Sequence, residues 1–570
     1  MHRVECDILV IGAGGAGLRA AIAACDAGAR VVVVSKSLLG KAHTVMAEGG
    51  IAASLGNVDG KDDWQAHFAD TIIEGAYLSD WRMAEILAKE AAERVYELER
   101  YGALFDRTQD GRIMQRAFGG HTYRRLCHVG DKTGLELLRT LEDQVLHRDI
   151  EVMDETYVTK IFARNGRIQG AIGLQMKTGR FVAFEAKAII IATGGCGRVY
   201  KVTSNSWEST ADGIGLAYNI GAELMDMEMV QFHPTGMVYP PGAKGLLVTE
   251  GVRGEGGILL NSKGERFMER YAPERKELAA RDIVARAIYK EIEEGRGTAH
   301  GGVYLDISHL GEAFIKHKLP SMYSQFRQFA DVDITKEAME VAPTVHYQMG
   351  GIRTDPETAA TNIDGLFAAG EAAGGLHGGN RLGGNSLADI LVFGKRAGEA
   401  ASKHALASKL PEVSEAEALQ ETRRVSSYLG KSAKGPNPNA LIEELRESME
   451  NGVGIIRDRS GLSKTLKEIS ELKSRQAQVR VPGTLVFNHG LLSALALENM
   501  LVACEAITRS ALERRESRGA HWRSDFPRKS RRWHVNMVCF KGAHSMKLRT
   551  VRVRPMPQRL KRLIKHEVYR

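Results

Sequence analysis

The chain has 570 residues, 43% of them hydrophobic, with 61 glycines against 14 prolines and a formal net charge of +8. That length exceeds one ordinary core and predicts three or four domains, and the glycine excess reads as tight backbone approaches in a globular chain. Six cysteines without a C-x-x-C pair exclude a disulfide frame and a thiolate metal cluster, and no run approaches the roughly 20 apolar residues that span a bilayer.

The opening VECDILVIGAGGAGLRAAIAACDAGARVVVVSK enters a strand almost at once, which leaves no room for a targeting peptide and predicts a cytoplasmic protein. It reads as strand, glycine turn, helix from Gly14, strand. DILVIG and RVVVVS are continuous apolar runs, as buried parallel strands require. Gly12, Gly14 and Gly17 form G-x-G-x-x-G between strand and helix, where the motif signals a dinucleotide: the first permits the turn, the second admits a pyrophosphate, the third packs helix on strand. The helix start, with Gly15 and Ala16, offers free N–H groups and partial positive charge to phosphates. The second strand ends at Ser35-Lys36, where an acidic residue ordinarily holds a ribose hydroxyl, so recognition there is expected from hydroxyl and backbone.

The small-residue loop GKAHTVMAEGGIAASLGN, residues 40 to 57, follows and carries a single histidine, His43. Residues 62–101 have a helical pattern, and residues 150–184 alternate as a strand meander ending in KAIIIATGG. That strand and glycine turn, running to Tyr200, favours FAD over NAD. Residues 235–345 change rhythm before GLFAAGE and GNSLADILVFGKRAGEAAS return to strand and long helix. The expected organisation is therefore α/β: an FAD-binding domain over 1–234 and 346–405, an inserted α+β capping domain over 235–345, a helical domain over 406–520, and a basic C-terminal region over 521–570. GKSAKGPNPNA reads as a linker or exposed loop within the helical part. In the last fifty residues fifteen Lys and Arg face only Asp525 and Glu567. With little aromatic interleaving and no binding motif, that tail points to an acidic partner surface rather than to nucleic acid.

HTVMAEGGIAASLGN, QFHPTG, TEGVRGEGGILLN, LAARDIVARA, PTVHYQMGGI, GLFAAGE and HGGNRLGGNSLADILVFG together resemble the flavoprotein subunit of the succinate dehydrogenase and fumarate reductase family, from Val4 to about Phe526. The resemblance implies a Rossmann-like FAD domain with the insertion above, a helical domain and a terminal hairpin. It implies FAD bound covalently through His43, with Thr44, Glu48, Gly49, Gly50, Asp212, Glu371, Ser386 and Leu387 also against the cofactor. His233, Thr249, His346 and Arg381 match substrate ligands for succinate or fumarate, and Arg381 can grip a carboxylate through two parallel N–H bonds. Arg281 matches the proton-transferring arginine, relayed by Glu250 and Arg253; a guanidinium is an unusual acid, workable where a buried relay shares its proton. His377 is expected only to shape its turn. Glu48, where glutamine is frequent in succinate dehydrogenases, hints at fumarate reduction through a carboxylate near the ring. The resemblance further implies an iron–sulfur subunit, membrane anchor subunits and quinone reached through them, with the chain on the cytoplasmic face of the membrane and no span of its own. The alternative is a soluble fumarate reductase or an L-aspartate oxidase-like enzyme acting on a related dicarboxylate; aspartate oxidases and adenylylsulfate reductases resemble the chain too but ordinarily lack the loop histidine.

Overall fold

The computed structural model describes residues 1–430 and 435–564. Residues 431–434 of the expected linker and the last six of the basic tail lie outside the described residues.

The first strand, His2–Ile11, pairs in parallel with Val31–Val34 on one side and Arg180–Ile191 on the other. Glu151–Met153 extends this sheet, Leu366–Ala368 pairs in parallel with Arg180–Ile191, and the antiparallel strands Arg167–Gln175 and Thr156–Arg164 complete seven. Both faces are covered, which is why its central strands read as unbroken apolar runs rather than alternating ones. The helix Gly15–Asp26 lies against the long helix Asn385–Leu406. It begins one residue later than expected, because Gly14 is fully extended at φ −79°, ψ 179°.

The 62–101 pattern resolves into two helices, Trp64–Glu74 and Trp81–Arg100. Asp63 and Asp80 cap their starts by accepting backbone N–H groups, and the turn between them carries Ala76 and Tyr77 at positive φ; the helical spacing hid that break.

Residues 235–345 enclose an apolar core of their own, with members from Met237 to Val341. It is roofed by an antiparallel sheet ordered Val230–Met237, Met339–Gln348, Val303–Asp306, Ile258–Leu260. The first two strands in that order, Val230–Met237 and Met339–Gln348, are also the strands that enter and leave the segment.

Beyond residue 406 come the helices Glu415–Ser426, Pro438–Gly452, Arg459–Gln476 and His489–Glu513. The last is long and apolar enough to cross a membrane by length and composition, against the expectation that no such stretch would occur. Most of its apolar stretch is buried in the protein; its Leu, Ala and Met side chains join the main core, so its apolarity is used internally. The terminal hairpin Val535–Lys541/Met546–Arg552 docks by pairing Val538 and Cys539 with Met225 and Leu224. Lys547, Arg549 and Arg552 lie exposed along its outer edge strand, charges that discourage edge-to-edge pairing.

Candidate active site

One continuous cleft runs from the ends of the parallel strands to the strand Val230–Met237, lined at one end by Gly12, Gly14 and Ser35 and at the other by His233, Thr249 and Arg381.

At the nucleotide end the walls are backbone. A Cβ on Gly12, where φ is +113°, would stand 2.3 Å from the Ala192 carbonyl oxygen, and one on Gly17 would stand 1.8 Å from that of Gly12. Neither position admits a side chain, so the turn is compressed against both the neighbouring strand and its own helix. The helix start has neither a side-chain cap nor an acidic residue in its first turn, leaving its N–H groups to an anion; the Gly15 N–H donates to Thr44 Oγ1 at 3.1 Å. Beyond Ser35 a charged pair stands at the strand end. Lys36 Nζ pairs with Asp212 Oδ2 at 2.5 Å, and the Tyr157 hydroxyl donates to Asp212 Oδ1 at 2.8 Å. A carboxylate thus reaches the strand end from the helix Asp212–Asn219, 176 residues downstream.

His43 opens a single 3₁₀ turn, His43–Met46, on the half-buried wall of the cleft. The Ser206 N–H donates to its Nδ1 at 3.2 Å, and Asn205 Nδ2 stands 3.4 Å from its Nε2. Burial holds its pKa down at about 4, so the imidazole is neutral, with a lone pair able to bond. Arg116 ties the loop down by donating to the carbonyls of Glu48 and Gly49 at 2.7 and 2.8 Å, and a Cβ on Gly49 would meet the Phe118 ring at 2.7 Å. Glu48 departs from expectation: burial, with Asp131 adding to it, pushes its carboxyl well above the usual range. Across the cleft Glu371 accepts the Gln348 N–H at 2.9 Å, its pKa raised to about 7 by burial. Ser386 and Leu387 stand in the first turn of Asn385–Leu406, behind a Gly384 at φ +81°, so their N–H groups have no intrahelical acceptor.

At the other end the walls are side chains. His233 lies on Val230–Met237 and His346 on Met339–Gln348, their rings 5.1 Å apart. Burial and the nearby guanidiniums hold His233 well below its ordinary range; burial and His233 do the same for His346. Both are therefore neutral hydrogen-bonding groups rather than cations. Arg281 opens the helix Arg281–Glu291 and pairs through Nε with Glu250 Oε2 at 2.7 Å; Arg253 Nη2 lies 3.7 Å from the same carboxylate. Burial alone would raise Glu250, but Arg281 and Arg253 outweigh it and keep the carboxyl below its usual range, hence ionised. Arg381 donates from Nη1 to Ser386 Oγ at 3.0 Å and lies over the Tyr347 ring at 4.4 Å. Burial first, then the charge of Arg281, bring its pKa down to about 9. Three buried guanidiniums gather here, with Glu250 ionised between two of them and Glu371, its pKa near 7, acting on Arg381; the cluster is rich in positive charge in a place where unpaired charge is costly.

A family profile described as "FAD binding domain" matches residues 7–387, and one described as "Fumarate reductase flavoprotein C-term" matches residues 442–564. The chain is 50% identical over 535 residues to a fumarate reductase (CoM/CoB) subunit of Methanothermobacter marburgensis, covering 94% of this chain and 97% of that one. The chain belongs to the succinate dehydrogenase and fumarate reductase flavoprotein family. Among solved structures, Mycobacterium smegmatis Sdh1 in complex with UQ1 is 52% identical, with a TM-score of 0.88 over 97% of this chain and 95% of that one. A quinol-fumarate reductase with menaquinol molecules is 37% identical, with a TM-score of 0.92 over 98% of this chain and 99% of that one. This flavoprotein is an FAD-dependent oxidoreductase of that family.

Of the site residues expected from sequence, all but two line this cleft. Gly17 lies behind the turn it packs, and Arg253 stands behind Glu250, where its Nη1 donates to the Glu277 carbonyl at 2.6 Å. Sequence reasoning missed Gln231, Asn380, Tyr347, Ser204 and Arg116. Gln231 and Tyr347 sit inside quoted motifs and were legible as neighbours of the two histidines; Ser204, whose Oγ is 2.8 Å from His346 Nδ1, and Arg116 carry no local signal. His377 stands 3.2 Å from the Tyr347 hydroxyl and 3.4 Å from Asp389, a placement behind Tyr347.

Proposed function

We propose that this flavoprotein interconverts succinate and fumarate, with FAD held covalently through His43. The observation that carries the reading is the cluster of three buried guanidiniums, Arg253, Arg281 and Arg381, beside a dinucleotide cleft, a positive site that suits a four-carbon dianion. FAD, when bound, supplies a carrier that takes or gives a hydride. Arg381 grips one carboxylate as a planar fork, with His346 beside it; Thr249 and His233 hold the other end. Arg281 moves the proton at the substrate carbon, and Glu250 with Arg253 shares the compensating proton through the buried pairs described above. Closure of the 235–345 segment over the cleft excludes water. A Ser206 N–H aimed at His43 Nδ1 favours a ring whose Nε2 carries the substituent, which supports linkage at that atom.

The reading extends to the assembly: electrons pass to an iron–sulfur partner, then through membrane anchor subunits to quinone, with this chain peripheral on the cytoplasmic face. Purified flavoprotein assayed both ways with artificial electron carriers tests the reaction; turnover of neither succinate nor fumarate overturns it. Acid precipitation tests the linkage separately. Flavin should remain with the wild-type protein and appear in the supernatant of His43→Ser; wild-type flavin in the supernatant would remove the covalent bond.

A further inference from the structure

We propose that Gln231 is a positioning residue that sets the spacing between Arg281 and Arg381, and that Asn380 fixes which way its amide faces. The inference rests on the succinate and fumarate reading of the same site.

Gln231 is fully buried on the strand Val230–Met237, opposite Tyr347 in the ladder. Its single side-chain oxygen accepts from Arg281 Nη1 at 3.1 Å and from Arg381 Nη2 at 3.0 Å. Its Nε2 donates to Asn380 Oδ1 and to the Arg381 carbonyl, both at 2.8 Å. An amide has two acceptor and two donor positions, and all four are in use. A flipped amide would set its N–H groups against two guanidiniums and its oxygen against two oxygens, so one orientation alone satisfies the site. Asn380 is fixed in turn, because its own Nδ2 donates to Glu74 Oε1 at 2.6 Å and to Asp282 Oδ1 at 3.2 Å. Asp282 follows Arg281 in the chain, and Asn380 precedes Arg381. The two amides therefore close a ring that ties the start of the helix Arg281–Glu291 to the loop bearing the carboxylate clamp.

The chemistry explains why an amide stands there. Two guanidiniums brought together in a buried site repel one another. A carboxylate between them would relieve the repulsion but cancel positive charge that a dianion needs. An apolar side chain would preserve the charge but leave both groups repelling and their N–H donors unmet. A neutral oxygen dipole lowers the repulsion and keeps the charge. Each arginine is anchored on its far side, Arg281 by Glu250 and Arg381 by Ser386 and Tyr347, so the amide oxygen is the element between them that holds their separation.

The test uses purified holo-flavoprotein and two variants, Gln231→Glu and Gln231→Met. Malonate binding is read from the flavin absorbance between about pH 6 and pH 10, and fumarate kcat and KM are read with an artificial reductant. In Gln231→Glu, which keeps the acceptor between the arginines but loses the N–H donors to Asn380 Oδ1 and the Arg381 carbonyl, malonate affinity at neutral pH should fall roughly tenfold or more. The pH at which binding is lost, set in the parent by Arg381 among Arg281, Glu250, Glu371 and Tyr347, should rise by about one unit, because the new carboxylate stabilises both guanidinium charges. In Gln231→Met kcat should fall roughly thirtyfold with flavin retained, as the proton donor and the clamp lose their register. Malonate affinity and pH limit within about twofold of wild type in the Glu variant would overturn the proposal, whatever the Met variant does. Loss of flavin from both variants would overturn it as well, since Gln231 would then be a folding residue. Wild-type protein that binds malonate but turns over neither diacid sinks the functional reading while malonate binding still decides the spacer; wild-type protein that does not bind malonate sinks both.

Discussion

The two ends of the cleft are built in opposite ways. The nucleotide end is backbone: one strand, one glycine turn and one helix start, contiguous over residues 2–26, with recognition by N–H groups and by the absence of Cβ atoms. The other end is side chains: groups from residues 231–253, 281, 346–347 and 380–386 that meet only in three dimensions. Each construction suits its ligand. A pyrophosphate is large, fixed and permanently held, and a rigid turn meets it once; a substrate must enter, be gripped by charge and leave.

The constructions should fail differently. The largest effect is expected from Gly17→Ala, whose Cβ has to displace the Gly12 carbonyl. The turn cannot yield without moving the strand, so the substitution should cost about 3 kcal/mol or more of stability and empty the protein of flavin, read as the flavin-to-protein ratio and the melting temperature. Arg281→Lys should do the reverse: flavin and malonate binding stay near wild type while turnover falls by roughly three orders of magnitude, the scale of a lost general acid. Flavin loss in that variant, or undiminished turnover, would break the contrast. Arg381→Lys loses the planar fork but keeps a charge, and should weaken malonate binding by roughly ten- to a hundredfold. The smallest effect needs no mutation. Arg381 loses its proton near pH 9, so malonate affinity should decline as pH rises through about 9, while flavin retention stays unchanged over that range.

The same contrast governs what the sequence could reveal. The first strand, turn and helix were legible because a glycine spacing is itself the site, and a buried parallel strand advertises itself as an unbroken apolar run. The substrate groups were recoverable only where they fell inside motifs that resemble a known family; that resemblance named Arg281, Glu250 and Arg381 but no distance between them. Gln231 and Asn380 escaped because an amide becomes informative only when all four of its hydrogen bonds can be counted. Asp212 was named, yet its partnership with Lys36 across 176 residues was not, since strand-end chemistry ordinarily comes from the strand itself. The break at Gly75–Asp80 and the membrane-like composition of His489–Glu513 show a third limit: periodicity and hydropathy record how apolar a stretch is, not what covers it.

That late helix also bears on how the protein is made. Asn499 reaches back from it to the Tyr157 hydroxyl at 3.3 Å and to Asp212 at 3.5 Å, so part of the backing behind Asp212 comes from a residue near the end of the chain. A ribosome that has produced the glycine turn in its first moments must still deliver some five hundred residues before that wall stands. The cleft is therefore complete only once the chain's final fifth has folded back onto its first.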